Sequence, residues 1–173
     1  MRFRVNRYSI NISIVLIINI LLSGCGTYSF KGSTLSSDLK TISISNFTLA
    51  AAGGPANLGN TLTEKLKEYY QRNTQLKLKP LNADLLLEGS VVGYDLTPQA
   101  PTSQDKAGLN RLTITIQVKF SNIKDEEKNF DQNFSFYADF NQTQTLSQVE
   151  SKLIPIILDQ IILDIFNKSA GDW

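Results

Sequence analysis

Histidine is absent from all 173 residues, and cysteine, methionine and tryptophan occur once each. Without an imidazole, the Ser-His and Cys-His pairs that activate a nucleophile cannot be built. Zinc sites of the usual His and Cys type are excluded for the same reason, and a lone cysteine rules out a disulfide within the chain. A dominant charge is missing too: 17 Lys and Arg stand against 16 Asp and Glu. No basic block is left to track a phosphate backbone, which argues against nucleic acid as a partner. The residue pattern calls for no metal and no organic cofactor.

The single cysteine closes a recognisable stretch. Arg2, Arg4 and Arg7 precede an apolar run over residues 10–22, which ends in Leu22-Ser23-Gly24-Cys25. Basic start, apolar middle and small residues before a cut make an export signal over residues 1–24. The run, about 13 residues and broken by Asn11, Ser13 and Asn19, is shorter than the roughly 20 apolar residues of a spanning helix. Leu-Ser-Gly-Cys resembles a bacterial lipobox, in which Cys25 becomes the first mature residue and carries lipid. Several buried acyl CH₂ groups, each worth about 0.8 kcal/mol, then tether the chain to a membrane surface without spanning it.

Removing 24 of 173 residues leaves 149, enough for one domain with a proper core. Three arginines leave with the leader, so 14 basic side chains face 16 acidic ones, a net of −2. Residues 25–38, rich in Ser, Gly and Thr, read as a lipidated tether. The tether has no acidic residue before Asp38; since lipoproteins kept at the inner membrane commonly carry one just after the cysteine, the resemblance to a lipobox implies the periplasmic face of an outer membrane. Residues 39–173 form the folded domain.

Within that domain, residues 41–47 alternate as a half-buried strand. Leu58, Leu62, Leu66 and Tyr69 or Tyr70 recur at helical spacing over residues 57–72. Residues 75–80 suggest a short edge strand ending at Pro80. Residues 84–96 make a central strand, with Leu85, Leu87 and Val91 on one side and Leu86, Val92 and Tyr94 on the other. Gly89 and Gly93 mark a bulge or a close backbone contact. A loop is expected over residues 97–109. The clearest pattern is Leu112, Ile114, Ile116, Val118 and Phe120 against Thr113, Thr115, Gln117 and Lys119, returned by an alternating strand over residues 130–140. A final helix carries Leu153, Ile157, Ile161 and Ile165 four apart. Ser147 or Ser151 is its expected cap, the choice deciding whether Pro155 kinks the helix or lies in its first turn. The wide apolar stripe of this helix packs on the sheet, with a part of it available to a partner.

The predicted order is β-α-β-β-β-α: an α+β fold with a mixed four-stranded sheet and two helices packed on one face. The opposite face, bearing Thr, Gln, Lys, Asn, Ser and Tyr, stays open.

Several strings resemble one family. Cys25-Gly26-Thr27-Tyr28-Ser29-Phe30, Leu109-Asn110-Arg111-Leu112-Thr113-Ile114-Thr115, Asn129-Phe130-Asp131-Gln132-Asn133-Phe134-Ser135 with Tyr137-Ala138-Asp139, and Asp164-Ile165-Phe166-Asn167-Lys168 ahead of Trp173 are similar to the LptE lipoproteins of lipopolysaccharide assembly. The resemblance implies a non-catalytic outer-membrane lipoprotein that plugs the lumen of the LptD β-barrel, aids its assembly and contacts lipopolysaccharide. Family members meet lipid phosphates with basic side chains, for which Arg111 and Lys119 are the best placed candidates here. A periplasmic lipoprotein that activates a cell-wall synthase is the competing reading, weakened by the short tether. An anchored hydrolase would need paired carboxylates. Glu64 with Glu68 lies on a solvent-facing helix side, and Asp131 with Asp139 lies eight residues apart on a strand, so neither pair serves.

Overall fold

The computed structural model describes residues 38–100 and 108–171. The leader, Cys25, the tether up to residue 37 and residues 101–107 lie outside the described residues. The described elements are β1 (Thr41–Ile44), β2 (Thr48–Leu49), α1 (Leu58–Asn73), β3 (Lys77–Leu78), β4 (Leu85–Gln99), β5 (Leu109–Asn122), β6 (Phe130–Asn141) and α2 (Leu146–Ala170). A single 3-10 turn, Glu126–Lys128, joins β5 to β6.

One mixed sheet holds all the strands in the order β3-β1-β4-β5-β6, with β2 beside β4. β1 pairs in parallel with both β3 and β4, whereas β4, β5 and β6 form an antiparallel meander. The α+β class agrees with the expectation, but the strand count is six and not four. β2 and β3 have two residues each, too few for an alternation to register in the sequence.

Leu112, Ile114, Ile116 and Val118 of β5 are wholly buried, as are Leu85, Leu87 and Val91 of β4, and all of them face the helices. α1 adds Leu58, Leu62, Leu66 and Tyr70 to the same core. α2 buries Leu153, Ile154, Ile157, Leu158, Ile161, Ile162, Ile165 and Phe166, leaving Ile156 and Leu163 partly outside. The stripe is therefore mostly core. Although α2 has 25 residues, no helix among the described residues is long and apolar enough to cross a membrane.

The two helices are tied along their length. Lys65 Nζ lies 2.7 Å from Asp159, and the rings of Tyr69 and Tyr70 meet Phe166 edge-on at 5.0 and 5.2 Å. The wholly buried Tyr70 hydroxyl bonds to Ser169, whose own hydroxyl donates to the Ile165 carbonyl at 2.8 Å. Burial pushes the Tyr70 hydroxyl well above the ordinary phenol range.

Three local expectations change. The cap of α2 is Thr145 and neither serine: the Gln148 side-chain oxygen accepts from the Thr145 backbone N–H at 2.9 Å, closing a capping box. Pro155 consequently lies inside the helix, far past the first turn. It offers no N–H to the Ser151 carbonyl, and Ser151 is exposed, so water reaches that group. The expected loop begins later, because β4 runs on to Gln99 and Pro98 stands opposite Asn110. Beyond Val91 the only described neighbour of β4 is β5, and an edge stretch tolerates proline.

The third change is one of face. The β4–β5 register slips between Val91, opposite Ile116, and Gly93, opposite Thr115, leaving Val92 as the extra residue of a bulge. Simple alternation puts Tyr94 with Leu86 and Val92 on the open side. The bulge returns it to the helix side, opposite Ile114. There its hydroxyl donates to Glu150 of α2 and its ring closes over Gly54, where a Cβ would come within 2.9 Å of the ring at a φ of +82°. Gly54 is thus required twice, by conformation and by space.

Candidate functional site

Strand register assembles the open face row by row, because residues directly opposite in an antiparallel ladder share a side. Across β4, β5 and β6 the rows are Thr97–Arg111–Asp139, Asp95–Thr113–Tyr137, Gly93–Thr115–Ser135, Ser90–Gln117–Asn133 and Glu88–Lys119–Asp131. Each is the polar half of a strand whose apolar half faces the helices. Hydroxyl and amide side chains fill the middle, and charges stand toward both ends.

Arg111 and Asp139 form a two-pronged pair, with Nε donating to Oδ1 at 2.7 Å and Nη2 to Oδ2 at 2.8 Å. The guanidinium also lies 3.5 Å from the centroid of the Tyr137 ring, a cation–π placement. Its bonds to Asp139 push Arg111 further up from its ordinary value, and Arg111 holds the Asp139 carboxyl below the usual range. At the other end Lys119 Nζ lies 3.6 Å from Glu88. Between them the Thr115 and Ser135 hydroxyls are 3.0 Å apart, and Gln117 Nε2 donates to Asp131 at 3.2 Å.

Arg111 and Lys119 therefore share the open face but are not brought together. Eight residues of strand separate them, about 26 Å, and each is held by a carboxylate. Six charged side chains occupy the five rows: two basic, and the acidic Glu88, Asp95, Asp131 and Asp139. The face carries a net −2. Asp95 and Asp131 make no ion pair among the described residues.

Three of the four carboxylates considered for catalysis, Glu64, Glu68 and Asp139, are held in ion pairs. Glu64 pairs with Lys67 at 2.9 Å and Glu68 with Arg72 at 3.4 Å on the exposed side of α1. They border an open groove of about 600 Å³ that also touches Thr61, Gln71 and Leu78. Asp139 is taken by Arg111, about 26 Å along β6 from Asp131. Among the described residues no three His, Cys, Asp or Glu side chains come together as a metal site. What this face can do chemically is donate and accept hydrogen bonds over an extended surface. Tyr137, Glu88 and Asp95 had no signal of their own in the sequence, since their parts follow from cross-strand register.

The family model LptE, lipopolysaccharide-assembly, matches residues 39–169. The chain belongs to the LptE family. Membership assigns it a part in lipopolysaccharide assembly, and the match runs from ahead of β1 to within one residue of the end of α2. Among solved structures, the minor lipoprotein of Acinetobacter baumannii is similar at 20% identity and a TM-score of 0.49, covering 75% of this chain and 91% of that one. The uncharacterized lipoprotein B of Nitrosomonas europaea is similar at 14% identity and a TM-score of 0.46, with 77% and 86% covered. The rare lipoprotein B of Shewanella oneidensis follows at 11% identity and a TM-score of 0.41, with 73% and 89% covered. No curated protein matches this LptE-family chain.

Proposed function

We propose that this chain is a lipoprotein anchored through Cys25 to the periplasmic face of the outer membrane. There it works without catalysis as a component of lipopolysaccharide transport, occupying the lumen of an LptD-like β-barrel and helping it assemble. The family match over residues 39–169 carries this reading. The open face supports it: a domain seated in a water-lined barrel needs an outer surface that is polar over its whole extent. The rows from Arg111 to Lys119 supply such a surface. Lipopolysaccharide is the cargo, and contact between its phosphates and Arg111 or Lys119 would require each cation to leave its carboxylate.

The test is affinity purification from detergent-solubilised outer membranes through a tag placed after Trp173. Recovery of a large β-barrel protein is the expected result, and recovery of an inner-membrane cell-wall synthase in its place would reverse the reading. Cys25→Ala should abolish incorporation of a labelled fatty acid into the chain.

A further inference from the structure

We infer that the open sheet face is a protein-docking surface matched to a basic stretch of the barrel wall, and that lipid phosphate is met elsewhere. The inference rests on the barrel-plug reading and deepens it. Its first support is the state of the two cations. Arg111 is clamped by both oxygens of Asp139 and capped by Tyr137, and Lys119 leans to Glu88. An arriving phosphate must displace a carboxylate already in place, on a face whose net charge repels it.

The second support is the state of the two remaining acids. Asp95, opposite Thr113, and Asp131, opposite Lys119, stand six residues apart along the sheet, about 20 Å. Asp131 accepts one bond from the neutral Gln117. The two carboxylates are too far apart to share one ion, so what complements them both is an extended surface bearing separate cations. Between them Thr113, Thr115, Gln117, Asn133 and Ser135 offer uncharged donors and acceptors that match a wall of similar side chains. Lysine or arginine side chains of the barrel set opposite Asp95 and Asp131 would balance the net charge of the face.

The experiment uses the full-length tagged chain in cells. A photo-crosslinking residue is placed at Thr115 or Asn133, and in parallel Asp95→Lys and Asp131→Lys are combined. Crosslinks are expected to the barrel protein, and the double reversal should lower barrel recovery at least about tenfold, as like charges are set face to face. Asp95→Asn with Asp131→Asn should give a smaller loss that persists at low salt, because the attraction that weaker screening would strengthen has been removed. Glu64→Lys combined with Glu68→Lys on the exposed side of α1 serves as a control of equal charge change. Crosslinks to lipopolysaccharide in place of protein overturn the inference, as does a folded double-reversal variant that recovers the barrel as well as wild type does. If wild type itself recovers no barrel, the plug reading fails and the inference falls with it, a result distinct from either of the others.

Discussion

Tyr94 on β4 and Glu150 on α2, 56 residues apart in sequence, share a hydrogen bond that exists because Val92 is an extra residue in the ladder. The bond joins the hairpin to the first turns of the terminal helix. Desolvation, with Glu150 adding to it, pushes the Tyr94 hydroxyl up well beyond the ordinary phenol value. Tyr94→Phe should cost about 1 kcal/mol, read as a lower urea midpoint with unchanged slope. Deleting Val92 should keep both the bond and the ring's place over Gly54, because Val91–Ile116 and Gly93–Thr115 then become consecutive pairs of an unbroken ladder and Tyr94 stays opposite Ile114.

Between the helices, Ser169→Ala leaves the Tyr70 hydroxyl buried without its partner. We expect a loss of about 1–3 kcal/mol in chemical denaturation. Adding Tyr70→Phe removes the orphaned group, so the double variant should be less destabilised than the sum of the two single changes.

Gly59 admits the chain that runs from β1 toward β2. A Cβ there would lie 2.2 Å from the Phe47 carbonyl oxygen, beside the bond from Phe47 N–H to Thr63 Oγ1 at 2.9 Å. Gly59→Ala should destabilise by about 2–3 kcal/mol. A thermal midpoint within a degree of wild type would contradict this packing.

Acid should loosen the start of β1. The Asp84 carboxylate accepts from the backbone N–H groups of Lys40 and Thr41 and from the Thr41 hydroxyl, each at 2.9 Å. These bonds, that from Lys40 first, lower its pKa to about 2. The folded value lies below the unfolded one, so Asp84 contributes stability above about pH 4. That contribution is lost as pH falls toward 2. Asp84→Asn should be less stable than wild type at pH 7, and the gap should shrink on titration from pH 4 to pH 2.

Long, regular elements were legible from residue types alone. β5 alternates without a break and β6 with one, at Gln132 opposite Val118, while α1 buries Leu58, Leu62 and Leu66 as its spacing marked and takes Tyr70 of the two tyrosines left open. Legibility failed where one residue alters the count. Val92 reverses the side of all that follows it on β4, and nothing in its own chemistry announces an insertion. Thr145 and Ser147 each stand three places before a capping-box partner, Gln148 and Glu150, so the sequence offers two boxes and only the folded turn shows that the first one closes. In the candidate site, Arg111 and Lys119 were assigned to the correct face, but their carboxylate partners lie on other strands and depend on register. The charge of the face, unlike its polarity, needed the structure.

The placement of β1 has a consequence for how this chain comes together. It lies between β3 and β4, which are consecutive in sequence, and the link joining those two passes over it on the open side, where the Pro80 carbonyl accepts from the buried Ser43 hydroxyl at 3.0 Å. A polypeptide emerging front end first must therefore hold β1 without either sheet neighbour until β3 appears about 33 residues later, and without β4 until about 41 residues later. During that interval an unpaired Ile42–Ile44 segment is open to wrong partners, and a chaperone that shields short apolar strands would find its natural client there.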